Sequence, residues 1–296
     1  MSPPALDALV AEELGRPVDP RVAEMAAAIA ARHPTARTVL YYGSTLREAR
    51  LDGLMLDFYL IVGDYRAAFG KAWLALANRL LPPNVFPFEH KGLVAKYAVL
   101  SEGDFARLTG PDATSVSVWA RFAQPSRLAW VADAAASANV VATVARAAPT
   151  LFTLTLPMMA DADRDVLAIW RRGFGLTYNA ELRAERTNRS GSIVDADPDR
   201  YRRFGDAALA TLADAERPRA ADAARRWRGL SRRGKALTLL RLAKASATYA
   251  DGIDYLAWKI ARHSGHPVVI RPWQRRWPIL GAVALLPRLL AKGAIR

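Results

Sequence analysis

VLYYGSTLREARLDGLMLDFYLIV, residues Val39 to Val62, decides how the chain is read. Two apolar runs, TVLYY and LMLDFYLIV, carry the β-branched and aromatic residues that suit strands. Gly43-Ser44 closes the first run, and an aspartate, Asp57, stands near the head of the second. Leu54, Met55 and Leu56 precede Asp57 and Phe58 to Val62 follow it, so a strand here embeds a carboxylate among apolar side chains. Such burial costs several kcal/mol unless the charge is paired or metal-bound. The second run is apolar enough throughout to predict a central strand.

Upstream, alanine-rich segments to about residue 35 read as one or two short helices. Downstream, YRAAFGKAWLALANRLL spaces Phe69, Trp73, Leu76 and Leu80 as a helix does, and PPN ends it. VFPFEHKGLVAKYAVLS predicts a hairpin turning near His90 to Gly92. The remainder is mostly helical, from DAAASANVV to about Trp170 and again through YRRFGDAALATLADAE. Between these helical stretches GFGLTYNAELRAERTNRSGSIVDADPDRY is polar and turn-rich, the character of a functional or connecting segment. The order of elements predicts an α+β domain with helices appended.

A chain of 296 residues can bury a sizeable core in one and a half to two domains, and 52% hydrophobic and 9% aromatic content exclude disorder. The formal charge of +14 points to an anionic partner: nucleic acid, nucleotide or an acidic membrane surface. Without cysteine there is neither a disulfide framework nor a thiolate metal site, and the four histidines argue against zinc. The start, MSPPALDALVAEELGRP, lacks the basic and apolar stretches of an export signal. No window reaches the roughly 18 uninterrupted apolar residues that span a bilayer. The nearest, WPILGAVALLPRLL, is broken by Pro287 and Arg288. From Arg262 to Arg296 there are seven Arg or Lys residues and no acidic ones, half of the chain's net charge of +14.

A Gly-Ser turn after one strand and a carboxylate on the next is the sequence form of the nucleotidyltransferase site of the DNA polymerase β superfamily. Glycine lets the backbone approach a triphosphate, and a serine hydroxyl with neighbouring N–H groups binds phosphate oxygens. Carboxylates on the adjacent strand hold Mg²⁺, which bridges the phosphates during in-line attack. Gly43 and Ser44 are therefore candidates for the phosphates and Asp57 for the metal. The superfamily usually has a second carboxylate two residues on, where this chain has Tyr59; Asp52 and Asp64 are candidates to replace it, with Glu89 on the hairpin as a third ligand. As an ordinary turn followed by a solvated strand-end aspartate, the same residues carry no chemistry.

Further blocks follow in order: YYGS, MLDFYLIVGD, AKYAVLS, WARFAQP, and LTYNAELRAE leading to SIVDADPDRY. Together they resemble the mitochondrial-type phosphatidate cytidylyltransferase family, also known as the translocator assembly and maintenance proteins, over about Val39 to Tyr201. The resemblance implies a Mg²⁺-dependent enzyme that joins CTP and phosphatidic acid into CDP-diacylglycerol and pyrophosphate. It implies Asp57, Ser44 and Lys96 as catalytic residues, and Gly43, Ser44, Lys96 and Tyr97 as nucleotide-binding. Arg121, Tyr178 and Arg183 match substrate-binding positions. The family's glycine and lysine near Arg121 are Ala120 and Gln124 here, and its Asp is Glu181. Without the resemblance, Lys96 reads equally as a surface lysine, and Arg183 as part of helix-surface ion pairs.

The tail RPWQRRWPILGAVALLPRLLAKGAIR has the composition of an interfacial segment that binds anionic lipid, with Trp273, Arg275, Arg276, Trp277, Arg288 and Lys292 as the contacts. A terminal helix packed on the core is its other reading. The expected organisation is thus a polymerase-β-like nucleotidyltransferase domain with a mixed sheet over 1–130, a helical domain over 131–260, and a basic amphipathic membrane-associating segment over 261–296. Alanine and arginine content suits a GC-rich bacterial genome and hence a peripheral enzyme at the cytoplasmic face of the inner membrane. The expected partners are CTP and phosphatidic acid in an anionic membrane, with no nucleic acid. Two other functions fit: transfer to RNA or a small-molecule acceptor, and a non-catalytic membrane- or nucleic-acid-binding protein on a degenerate transferase scaffold.

Overall fold

The computed structural model of the chain describes residues 5–47, 51–160, 165–180, 193–212, 219–248 and 270–273. Two helices, α1 (Leu6–Leu14) and α2 (Pro20–Ala30), lead into strand β1 (Ala36–Tyr42). The Asp19 side chain caps α2 by accepting the Arg21 N–H, and Pro20 occupies the first turn, where a missing N–H costs nothing. β1 runs antiparallel to β2 (Met55–Val62), and the Gly43-Ser44 turn with a short 3₁₀ segment, Ser44–Arg47, begins the connection.

The hairpin forms as expected from β3 (Asn84–His90) and β4 (Leu93–Ser101), with β4 parallel to β2. A fifth strand, β5 (Ser126–Val131), pairs antiparallel with the free side of β1. The order β3-β4-β2-β1-β5 makes a mixed five-stranded sheet with β2 central, so the α+β class and the central strand agree with the sequence reading. β5 was not foreseen: SRLAWV is short, half-buried and at an edge, so it lacks both a continuous apolar run and clean alternation. Pro87 sits in β3, the other edge, where its missing N–H breaks no ladder bond.

Alternation sends successive side chains of each strand to opposite faces. Val39, Tyr41, Leu56, Phe58, Leu60 and Tyr97 pack against Val22, Met25 and Ile29 of α2 and against Tyr65 of α3 (Tyr65–Phe69). Leu40, Tyr42, Tyr59, Ile61 and Leu100 pack under a thicker helical layer. That layer contains α1, α5 (Glu102–Thr109), α6 (Trp119–Phe122), α7 (Ala134–Ala145), α8 (Ala147–Thr155), α9 (Val166–Ala180), α10 (Pro198–Thr211) and α11 (Ala220–Thr248). The cluster runs without a break from Leu6 through Trp119 to Leu230, so the helices after residue 130 share their core with the sheet.

The segment read as a single helix after β2 is broken in two, α3 and α4 (Ala72–Leu80), because Gly70 takes the left-handed conformation (φ +62°). The turn-rich stretch from Gly173 is helical as far as Ala180; Gly173 is needed there because a Cβ would collide with Leu151 of α8. Among the described residues Ala134–Met158 alone is long and apolar enough to cross a membrane, but 67% of its apolar window is buried, as in a core helix. α1 is tied to α10 by a buried bidentate pair: Arg200 Nε lies 2.6 Å from Glu13 Oε2 and Nη2 lies 2.8 Å from Oε1. The third guanidinium nitrogen donates to the Ala123 carbonyl at 3.2 Å.

Candidate active site

Register brings the candidate residues together. Ser126, Tyr42, Asp57, Lys96 and Pro87 are direct partners across β5, β1, β2, β4 and β3, one row spanning the whole sheet near its end. Direct partners share a face, and Tyr42 fixes that face as the one beneath the helical layer.

Asp57 is the centre of the row. Lys96 Nζ stands 3.0 Å from its Oδ1, with the two side chains 35% and 23% exposed. Oδ1 is enclosed yet accepts no hydrogen bond, so the lysine compensates it by charge and not by a well-directed N–H. On the other side Gly43 (φ +103°) crosses directly over the carboxylate: a Cβ there would lie 3.2 Å from Asp57 Oδ2. Positive φ and the missing side chain are both required for this approach. Ser44, exposed, starts the 3₁₀ turn, which is closed by the Leu46 N–H donating to the Gly43 carbonyl at 3.3 Å.

Arg121 enters from α6. Its guanidinium carbon sits 4.9 Å from the centre of the Tyr42 ring, and Nη1 donates to the Tyr59 hydroxyl at 3.4 Å. Tyr42, Tyr59 and Phe122 pack ring to ring beneath it, a rigid aromatic floor beside Asp57. Burial pushes the Tyr42 phenol well above its ordinary value; Arg121 opposes this, and the Asp57 charge adds to it. Tyr42 is therefore neutral at any physiological pH. Tyr59, standing where a second carboxylate was sought, supports the arginine.

Several expected residues lie elsewhere. Asp64 caps α3, accepting the Ala67 N–H at 2.9 Å, and is seven residues beyond Asp57 past the far end of β2, roughly 23 Å away at strand rise. It is not placed to share a metal ion with Asp57. Asp52 is 79% exposed and faces Arg21 of α2 at 3.4 Å. Tyr97 corrects its pairing with Lys96: alternation turns it to the opposite face, where its hydroxyl donates to His33 Nε2 at 3.2 Å. Glu89 is exposed on the Asp57 face, diagonal to Lys96 and two strands over. Tyr178 is half-buried in α9 against the main core. Arg183, Arg275, Arg276, Trp277, Arg288 and Lys292 lie outside the described residues; Trp273 is exposed.

Among the described residues no three His, Asp or Glu side chains gather as a metal cluster. The fit to Mg²⁺ therefore rests on Asp57: an enclosed oxygen without a hydrogen bond and a second oxygen under the Gly43 turn. Mg²⁺ keeps several waters and is often held by one or two carboxylates plus substrate phosphates. One carboxylate fits an ion that arrives with a nucleotide, and does not fit a resident protein-caged ion. Sequence reasoning missed the Asp57–Lys96 pairing and the Tyr42–Tyr59 floor, since the parallel register of β2 with β4 leaves no local signal.

No family model matches the chain, and no curated protein sequence matches it.

Proposed function

We propose that this chain is a nucleotidyltransferase that transfers the cytidylyl group of CTP to phosphatidic acid, releasing pyrophosphate and forming CDP-diacylglycerol. The observation that supports it is the convergence of the Gly43-Ser44 turn, Asp57, Lys96 and Arg121 at one end of one sheet face. The lipid acceptor comes from the order of the sequence blocks, and the geometry supports the phosphate chemistry alone.

In this reading the backbone at Gly43 and the Ser44 hydroxyl bind triphosphate oxygens. Lys96 is a point charge with three donors, none of them spent on a well-directed bond to Asp57, so it also serves the phosphates. Arg121, held over the Tyr42 ring, carries a guanidinium fork suited to a phosphate. Asp57 would hold the nucleotide's Mg²⁺, which supplies charge neutralisation when bound. A phosphate oxygen of the lipid attacks the α-phosphorus, a new P–O bond forms, and the bond to the β-phosphate oxygen breaks. The nucleophile is already ionised, so no general base is required.

A second reading, a non-catalytic binding protein, is favoured by one observation: the lone carboxylate is already neutralised by Lys96. Purified protein with phosphatidic acid vesicles, CTP and Mg²⁺ separates the two. Release of pyrophosphate with matching CDP-diacylglycerol, lost in Asp57→Ala, supports the transferase. Nucleotide binding without turnover supports the second reading, and turnover with a soluble acceptor but not with lipid replaces phosphatidic acid.

A further inference from the structure

The helix α4 seats the polar Asn78 inward, with Ala75 packed beside it, and leaves its largest apolar side chains outward. Its one buried residue is Asn78, whose Nδ2 donates to the Val99 carbonyl at 2.9 Å and whose Oδ1 accepts the Asn84 N–H. Trp73, Leu76 and Leu80 are 53%, 57% and 74% exposed. At about 100° per residue these three fall within an arc of roughly 60°, and Asn78 lies roughly opposite its centre. An amphipathic helix normally does the reverse and buries its apolar stripe. Here the buried amide is fully engaged by backbone partners, so the orientation is fixed and the stripe is held outward along the whole helix.

We infer that this stripe is a membrane-docking surface for anionic bilayers. Tyr65 to Pro83 contains three cations, Arg66, Lys71 and Arg79, all exposed, and no acidic residue. Exposed tryptophan and leucine in a segment whose only charges are Lys and Arg form the combination that settles at a headgroup–acyl boundary, with the cations meeting anionic headgroups. The same exclusively basic charge disfavours the rival occupants. A second copy would bring the same cations against it, and the segment from Arg262 to Arg296, seven basic and no acidic residues, would be repelled as well. The surface uses none of the residues of the Asp57 row and goes beyond the proposed transfer reaction.

The absence of cysteine gives a direct test. In the full chain, Leu76→Cys carries an environment-sensitive dye, and Asp199→Cys, whose native side chain is 91% exposed on α10, is the control. With vesicles of phosphatidylcholine plus an anionic phospholipid, the dye at residue 76 brightens and shifts to the blue and the dye at 199 does not; phosphatidylcholine alone gives little change. Trp73→Ala/Leu76→Ser/Leu80→Ser, folded as judged by circular dichroism, lowers vesicle partitioning roughly tenfold to a hundredfold. The proposal is overturned if the dye at 76 stays polar while the protein co-sediments, or if both dyes respond equally. It is also overturned if the dye at 76 is shielded before vesicles are added, at all concentrations (the chain covers itself) or only at high ones (a second copy does). Docking without cytidylyl transfer removes the proposed activity and keeps this surface; transfer to detergent-dispersed phosphatidic acid without a dye response does the opposite.

Discussion

Lys96 Nζ lies 3.0 Å from Asp57 Oδ1, and the two residues are direct partners on parallel strands. Each is therefore the other's main charge compensation in a half-buried position. Asp57→Ala is expected to abolish pyrophosphate release. Lys96→Met is expected to lower kcat/KM for CTP by about 10²–10³, the scale for removing one charge stabiliser of a transition state. It also leaves the carboxylate uncompensated, at about 1–2 kcal/mol of stability after allowing for partial solvation. Urea melts of both single variants and the double variant check this: the double variant loses less than the sum.

Gly43→Ala adds a methyl group 3.2 Å from Asp57 Oδ2 at a φ of +103°. The strain costs about 1–2 kcal/mol, and the displaced carboxylate lowers activity further than that loss of stability explains. Steady-state kinetics at a temperature where the variant is fully folded separates the two effects.

The Glu13–Arg200 pair is buried on both sides. Glu13→Gln or Arg200→Met leaves a buried charge unanswered, and each is expected to lose about 3–5 kcal/mol. Glu13→Met/Arg200→Met, with neither charge, is expected to be more stable than either single variant. Chemical denaturation of the three variants decides it, and similar losses in all three would show that packing outweighs charge there.

His33 is held neutral between the Ala68 carbonyl, 3.0 Å from Nδ1, and the Tyr97 hydroxyl at Nε2. Burial lowers its affinity for a proton below the ordinary value of 6.5 and outweighs the opposing Ala68 hydrogen bond. Protonation therefore favours the unfolded chain. Stability from this residue is fully present above about pH 6.5 and is lost as pH falls through that value toward the depressed folded one. The difference between wild-type and His33→Gln unfolding free energies, measured from pH 8 to about pH 5, is expected to shrink toward acid. A flat difference would remove the assignment.

The strands around Asp57 were legible because β-branched and aromatic runs broken by Gly-Ser or Lys-Gly are local signals. Gly43, Asp57 and Arg121 were legible as candidate site residues for the same reason: each stands in a short block of its own. The pairing of Asp57 with Lys96 was not, since parallel register is set by packing between residues 39 positions apart. Asp64 looked like a ligand because sequence distance hides the length of a strand; it stands past the opposite end and serves as a helix cap. The orientation of α4 was invisible for a related reason. Its apolar spacing is that of a core helix, and only the partners of Asn78, on β3 and β4, turn it outward.

The Glu13–Arg200 contact also sets an order of events during synthesis. The two residues are 187 positions apart, so at a typical translation rate of 5–20 residues per second the carboxylate emerges roughly 10–40 s before its guanidinium. Throughout that interval α1 lacks the bidentate partner of a carboxylate that it buries in the finished fold. α1 is thus made well before it can be seated, and the nascent chain depends on keeping it solvated until α10 has left the ribosome.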